Sequence, residues 1–532
     1  MLRSLLIVVV ALLALPVLVI LSSLAQWDAG SIAVLAGMWQ TVMAGYLGNS
    51  LLLCLGVSAG VISMGSVSAL AVTLFDFPGR RVLEWALLLP LAMPAYVVAY
   101  AYSDYLQYGG PLQTLLRQLL AREGAMLPDV RSLWGAALAL SVCLYPYVYL
   151  LTRAALAERG LHLMEAARLL GAGLARRIWS VAIPLARPAL AAGTALALME
   201  TLSDYGVTSY MGVQTFATGI FKAWLAMDNR QAAVQLACAL LLMVALMIWL
   251  ELRAQSKLRF ANTRGHGRGQ ESQPLALRGW VGLVPLVLCL MPVLLGFVFP
   301  VLIMLRALAG AGDAQLPWDR FVGWTFNSLR LGALTALLAV TLALMLAALR
   351  RGQSSLWVRG LVGLTGLGYA VPGVVIVVGL LAPVSWAQEH WPQSQVGGWL
   401  TTTIVGLVWA YLVRFVAVAL QSVESGYARI PRSFDESAQM LGVTGAGLLR
   451  RIHWPLLRRP AAAAALLVLV DVIKELPATL LLRPFNTDTL AIMAYQLARD
   501  ERLGEAAVPS LALVLVGLLP VILLSRTLRD KS

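Results

Sequence analysis

Long apolar stretches without a single charged residue recur along the whole chain. A helix that crosses a bilayer needs about 20 mainly apolar residues. Ten stretches are close to or above that length: residues 4–27, 49–75, 85–103, 132–152, 231–250, 279–305, 331–349, 360–388, 391–413 and 506–525. Two further segments begin after Arg187 and after Arg459 and carry ionisable residues. The sequence therefore predicts an all-α polytopic membrane protein with about 12 transmembrane helices.

The first apolar stretch has a second interpretation. Arg3 precedes it, and the small residues Ser22 and Ser23 lie near its end, as they would in a cleaved secretory signal peptide. Its apolar core is longer than such signals usually have, so we expect a retained helix.

Charge supports the membrane interpretation and gives an orientation. Only 12% of the residues are charged, whereas soluble domains carry about 25%, so an ordinary cytosolic enzyme is excluded. With both termini in the cytoplasm, 27 of the 40 Lys and Arg residues fall on the cytoplasmic side and 12 on the other side. This bias obeys the positive-inside rule. The net charge of +14 therefore indicates membrane topology, and we expect no nucleic-acid partner.

The chain contains an internal duplication. Asn49-Ser50 and Met93-Pro94 match Asn327-Ser328 and Val371-Pro372, and both matches have the same offset in sequence number. A basic segment rich in Gly and Ser, residues 255–278, lies between the copies. We predict a first six-helix half at 1–254, a cytoplasmic linker at 255–278 and a second six-helix half at 279–532. An even number of spans makes the halves parallel, related by an axis along the membrane normal.

A second block repeats at a slightly smaller offset, in the most basic cytoplasmic loop of each half. The loops read EAARLLGAGLARRIWSVAIPLARP (165–188) and ESAQMLGVTGAGLLRRIHWPLLRRP (436–460). We call the difference in residue number between Glu165 and Glu436 the loop offset. Each pattern predicts a helix, a sharp turn that needs glycine at Gly171 or Gly442, and a second helix. Ser433 and Glu436 have the spacing of a capping box. The alternative is a plain basic loop whose arginines lie at the lipid headgroups.

These loops resemble the EAA loop of permease subunits of binding-protein-dependent ABC importers, and the resemblance covers nearly the whole chain, once in each half. It implies an ABC importer permease fold in which each loop docks onto a separate ATPase subunit. The ATPase-coupling residues that it implies are Glu165, Ala166, Gly171, Pro184, Glu436, Ala438, Gly442 and Pro455. Ser437 replaces the first alanine of the motif in the second copy.

Three more segments resemble the fused permeases of ferric-iron importers: 91–113, 199–224 and 473–491. The resemblance implies a transport subunit in the bacterial cytoplasmic (inner) membrane, with membrane lipid, an exported solute-binding protein and two copies of an ATPase as partners. Thiamine importers also use fused permeases, so another small solute stays an alternative. An ion-coupled secondary transporter is a further alternative, although it gives no reason for paired EAA loops.

No catalytic or cofactor site is expected. The chain has no GxxxxGK[ST] phosphate loop, so ATP is expected to bind partner subunits, and no nucleophile–base arrangement indicates a membrane-embedded enzyme. The four histidines have no paired ligand spacing, so no metal site is predicted: His162, His266, His390 and His453.

Ionisable residues inside the two interrupted segments are candidates for the translocation path, because charges within a membrane are costly and usually functional. They are Glu200, Asp204, Asp471, Lys474 and Glu475. The alternative for the last two is a structural ion pair between Lys474 and Glu475. Phenolate oxygens suit ferric iron, but an aromatic belt at the membrane surface is the preferred explanation for five tyrosines. These are Tyr96, Tyr100, Tyr102, Tyr105 and Tyr108.

Overall fold

The computed structural model describes most of the chain. The described residues are 2–23, 29–121, 123–259, 274–277, 279–311, 318–352, 360, 362–363, 365–366, 368–391, 393, 396–443 and 445–529. Most of the linker predicted at 255–278 lies outside them. Its first residues continue a helix to Arg259, and Leu275–Ala276 forms a short strand.

Helices account for nearly all of the described structure. Those of the first half are α1 Leu2–Ser23, α2 Ala29–Met38, α3 Ala44–Leu74, α4 Arg80–Ala86, α5 Ala95–Leu106, α6 Pro111–Leu120, α7 Leu133–Leu169, α8 Leu174–Arg177, α9 Ile183–Ser203, α10 Gly206–Tyr210, α11 Phe216–Phe221 and α12 Arg230–Arg259. Two short strands, β1 Phe75–Asp76 and β2 Leu275–Ala276, pair in parallel.

The second half also combines long and short helices. They are α13 Leu283–Val293, α14 Phe299–Gly310, α15 Trp318–Gly352, α16 Gly373–His390, α17 Val396–Thr402, α18 Ile404–Tyr427, α19 Arg432–Met440, α20 Ala446–Leu448, α21 Trp454–Lys474, α22 Pro477–Leu482, α23 Leu490–Arg499 and α24 Leu503–Arg529. A π-helical turn precedes both α9 and α21, at Ile178–Ala182 and Leu449–His453.

Nine described helices are long and apolar enough to cross a membrane, and there are ten if one bent pair counts as a single span. The bent pair, Arg80–Ala92 and Ala95–Leu120, turns by 89°. Met93 is extended there and Pro94 precedes α5, as steric clash with a proline requires. The all-α polytopic fold is thereby confirmed. The other two predicted spans do not meet this test among the described residues: the described side chains of α1 give the shorter apolar helix Ile7–Ser22, and α21 carries four charges.

The chain forms two compact units, and neither consists of one sequence half. The first unit contains residues Met1–Thr41, Gly219–Leu241 and Pro317–Gln496. In it α1 packs against α16, and the indole nitrogen of Trp409 donates a hydrogen bond to the Leu12 carbonyl. The opening helix of the chain is therefore packed with helices of the second half.

The second unit contains residues Val42–Thr218, Leu242–Leu316 and Leu497–Ser532. Its centre is the packing of α3 against α7 and α9, and α14 packs against α24 and α5. Here a helix that opens the second half joins helices of the first half. The half boundaries at 254 and 279 stay a prediction about the sequence repeat, and each compact unit contains segments from both halves.

The repeated Asn-Ser pairs make equivalent contacts in the two units. Asn49 Nδ2 donates to the Gln214 carbonyl at 3.0 Å, and Ser50 Oγ accepts from the Phe216 amide at 3.4 Å. In the other unit, Asn327 Nδ2 donates to the Asp488 carbonyl at 3.1 Å, and Ser328 Oγ accepts from the Leu490 amide at 2.9 Å. The duplication predicted from sequence thus extends to individual hydrogen bonds.

Candidate functional site

The first EAA loop continues directly from a long helix. Glu165 and Ala166 lie on the last turns of α7, and both are exposed. The chain then reverses at Gly171, whose φ is +81°, a conformation that glycine adopts without the steric cost of a Cβ atom. Pro184 lies at the start of α9 and is half-buried.

The second EAA loop begins with a separate helix, α19. Glu436 is exposed on it and Ala438 is buried. Gly442 has a φ of +77°, and Pro455 is exposed near the start of α21. The sharp turn predicted at Gly171 and Gly442 is therefore confirmed in both copies. The coupling role of the eight residues stays a prediction.

The capping box predicted from Ser433 and Glu436 is wrong. The N-cap position of α19 is occupied by Pro431, which has extended backbone angles and makes no side-chain hydrogen bond to the helix. Ser433 lies one residue inside the helix. It therefore does not occupy the N-cap position, from which a side-chain oxygen accepts from the free amides of the second or third helical residue.

Two large apolar side chains are exposed beside each glycine turn. Leu169 and Leu170 are 85% and 88% exposed, and the equivalent Met440 and Leu441 are 89% and 82% exposed. Adjacent exposed apolar side chains of this kind mark surfaces that bind a protein partner or a membrane. Each EAA loop thus presents a compact apolar surface next to a fixed turn.

The predicted path residues lie at two equivalent breaks between helices. Asp204 follows the end of α9, and its carboxylate accepts hydrogen bonds from the amides of Val207 and Thr208, at 2.9 and 3.2 Å. It therefore satisfies free amides at the start of α10. Asp204 lies just beyond the helix, not inside the span as the sequence predicted.

Glu475 plays the same part in the other copy, at the loop offset from Asp204. It follows the end of α21 and accepts from the amides of Ala478 and Thr479, at 3.0 and 3.1 Å. The Thr479 hydroxyl also lies 2.9 Å from its carboxylate. Discontinuous helices form the substrate sites of many secondary transporters. Thr208 and Thr479 share the loop offset, a signal that the sequence analysis did not use.

Glu475 also lies 3.6 Å from the Arg414 guanidinium, and both side chains are buried. A Cβ atom on Gly373 would lie 2.9 Å from the Glu475 carboxylate and 3.3 Å from Arg414 Nη1. A side chain at position 373 would therefore displace the Glu475 carboxylate or the Arg414 guanidinium. Sequence analysis missed this pair, although Arg414 is conspicuous as a charge within an apolar stretch.

Among the described residues, Asp204 makes no ion pair of this kind. The position equivalent to Arg414 in the first half is Cys143. The other candidates, Glu200, Asp471 and Lys474, are half-buried on the last turns of α9 and α21.

The aromatic-belt explanation is wrong for three of the five tyrosines. Tyr96, Tyr100 and Tyr102 are buried on α5, and the Tyr100 ring lies edge-on to Tyr210, with centroids 4.5 Å apart. Tyr108 is exposed. Tight packing around α5 places these rings inside the second unit, where a surface belt cannot form.

Two stretches of the chain match one known protein family. The family described as "binding-protein-dependent transport system inner membrane component" matches residues 61–259 and again residues 339–529. The Fe(3+)-transport system permease protein FbpB 2 of Haemophilus influenzae is 26% identical over 503 residues, which cover 92% of this chain and 91% of that protein.

Two other relatives differ in coverage. The probable ABC transporter permease protein y4fN of Sinorhizobium fredii is 24% identical over 96% of this chain and 91% of its own length. The putative 2-aminoethylphosphonate transport system permease protein PhnU of Salmonella typhimurium is 31% identical over 32% of this chain and 59% of its own length.

Proposed function

Because the chain belongs to the family of binding-protein-dependent transport system inner membrane components, and so is the permease subunit of an ABC importer, we propose that its cargo is ferric iron. The support is the relative FbpB 2, a ferric-iron permease that aligns with nearly all of both halves. The 2-aminoethylphosphonate permease aligns with only a third of this chain. Segments 91–113, 199–224 and 473–491 support the same cargo.

The repeated EAA loops carry the proposal for coupling. Each combines a glycine turn of positive φ with two exposed apolar side chains. One such surface in each half fits two copies of a cytoplasmic ATPase. The proposed coupling residues are those named from the motif, and the ATPase copies supply the ATP-binding sites. An exported solute-binding protein would deliver iron on the opposite side.

The proposed orientation places both termini and both EAA loops in the cytoplasm of a bacterial cell, with the chain in its inner membrane. The asymmetry of Lys and Arg supports it. Family membership favours ATP-driven transport over the ion-coupled alternative. The two helix breaks, with Glu200, Asp204, Asp471, Lys474 and Glu475, are the proposed lining of the path.

Uptake in proteoliposomes tests the cargo. The permease, its ATPase and its binding protein are reconstituted, and radiolabelled ferric iron, thiamine and 2-aminoethylphosphonate are offered separately with ATP. We expect ATP-dependent accumulation of iron alone. Accumulation of either other solute, with no iron uptake, would refute the proposed cargo and leave the permease assignment intact.

A further inference from the structure

The first EAA loop is held to its own unit by apolar packing. Leu156 and Met164 on α7 are buried together with Ala182, which ends the π-helical turn, and with Leu74 of α3. Because α7 runs unbroken from Leu133 to Leu169, the helix that carries Glu165 is a direct continuation of a candidate membrane span. Its direction is therefore fixed by the helix itself.

The second EAA loop lacks that continuity. Residues 428–431 separate α18 from α19, and Pro431, the last of them, has no backbone N–H with which to continue a helix. Carbonyl groups near the break need other partners. Arg351, at the end of α15, supplies them by donating to the carbonyls of Tyr427, Ile430 and Pro431, at 3.1, 3.0 and 3.1 Å.

The positions that are apolar in the first loop are polar in the second. Leu156, Met164 and Ala182 correspond, at the loop offset, to Tyr427, Asp435 and His453. Asp435 Oδ2 lies 2.5 Å from Arg351 Nε, and Asp435 Oδ1 lies 3.0 Å from His453 Nε2. His453 Nδ1 lies 3.1 Å from the Tyr427 hydroxyl. We call these four side chains the Asp435 network.

The hydrogen-bond chemistry of the Asp435 network is complete. The ionised carboxylate only accepts, so Arg351 Nε and His453 Nε2 both donate to it. In a neutral imidazole the other nitrogen then accepts from the Tyr427 hydroxyl. His453 is buried, and the Asp435 side chain is 15% exposed. Such bonds are directional, and a partly satisfied network costs more than an apolar contact.

We propose that Asp435 is the positioning residue of the second coupling surface: through Arg351 and His453 it sets the direction of the detached helix α19. This inference rests on the proposed function, in which α19 docks an ATPase. The first loop needs no such residue, because α7 is continuous. Loss of the carboxylate therefore weakens docking at the second loop and leaves the first loop unaffected.

Thiol protection at two equivalent sites tests this in the full permease. Arg168 and Gln439 are exposed and equivalent in the two loops, and the four native cysteines are buried. Single variants Arg168→Cys and Gln439→Cys are purified, and maleimide labelling is timed with and without saturating ATPase. Each is then combined with Asp435→Asn, which keeps the shape of the side chain and removes its charge.

We expect the ATPase to protect both thiols in the parent proteins. Asp435→Asn should raise the labelling rate at position 439 in the presence of ATPase by about tenfold, which is about 1.4 kcal/mol of docking energy. The rate at position 168 should stay the same. Arg351→Gln, which removes the other half of the ion pair, should give the same one-sided result if Asp435→Asn inserts poorly.

Three outcomes separate the inference from the function beneath it. Equal loss of protection at both sites would show a general structural defect and overturn the positioning role. Unchanged protection at position 439 in both variants would overturn it as well. Absence of protection at either site in the parent proteins would instead refute ATPase docking at the EAA loops, and with it the proposed coupling.

Discussion

The two acidic caps at the helix breaks should respond differently to the loss of their charge. Glu475 is 6% exposed and accepts hydrogen bonds from two amides and a hydroxyl, with Arg414 at 3.6 Å. Breaking a buried ion pair from one side costs about 3–5 kcal/mol, because a buried charge loses its partner. We therefore expect Glu475→Gln to lower stability and membrane abundance sharply.

Asp204→Asn is the matched control at the equivalent break. The amide oxygen of asparagine can still accept from Val207 and Thr208. The change therefore weakens two hydrogen bonds to a charged acceptor, at about 1 kcal/mol each, and leaves no ion pair broken. We expect a clearly smaller loss of stability than for Glu475→Gln.

The double variant Arg414→Met/Glu475→Gln provides the decisive comparison. Replacing both members of a buried pair is often neutral, whereas removing one is not. We expect it to recover most of the abundance that Glu475→Gln loses. Midpoints of thermal unfolding of the detergent-solubilised protein, with membrane abundance, are the measurements. Equal losses in Asp204→Asn and Glu475→Gln, or no recovery in the double variant, would refute the reasoning.

Four other predictions follow from the described geometry. The double variant Gly171→Val/Gly442→Val should reduce ATP-driven uptake while the chain still inserts, since valine in each left-handed turn would cost about 1–3 kcal/mol. The control is Gly173→Val, because Gly173 lies in open space at negative φ. A cysteine at Gly173 should resist an impermeant thiol reagent applied to intact cells, whereas one at Gly109, also in open space, should react. Rapid labelling at position 173 would refute the proposed orientation. Burial opposes ionisation of Asp435, but hydrogen bonds from Arg351 and His453 outweigh it and hold its pKa below the usual range. Its stabilisation is thus present above about pH 3.9 and lost as the pH falls through the lower folded value, so pH scans of thermal stability for the parent and Asp435→Asn should converge only in acid. Glu200→Gln and Asp471→Asn should reduce iron uptake at normal abundance if these acids line the path, and unchanged uptake in both would remove them from it.

The sequence predicted the features that depend on local chemistry. A glycine at the same distance after a glutamate in both loops indicated the positive φ that Gly171 and Gly442 adopt. Charge-free length located most of the helices. Both signals are local: one is a steric requirement at a single residue, and the other is the thickness of a bilayer.

Tertiary packing decided what the sequence could not. Tyr100 and Tyr108 lie in one stretch of similar composition, yet Tyr100 is fully buried and Tyr108 is 59% exposed. The exchange of α1 and α14 between the compact units is likewise absent from any local pattern. The sequence analysis places Asp204 and Glu475 inside the two interrupted spans. In the structure, each residue follows the end of one helix, and its carboxylate caps the start of the next helix. Hydropathy gives no signal of such a break.

The two halves share backbone features at the loops and differ in the side chains that pack behind them. Both halves keep a positive-φ glycine, a π-helical turn and an acidic cap at the helix break. Under the proposed function, two copies of one ATPase would demand the same docking shape from both loops, and the shared glycine and π-helical turn fit that demand. The described contacts of the side chains behind each loop lie within that loop's own unit, so the two sets need not share one chemistry. An apolar cluster around Met164 and a charged network around Asp435 can therefore support the same surface. The charged network is needed in the second half because the helix is broken at Pro431.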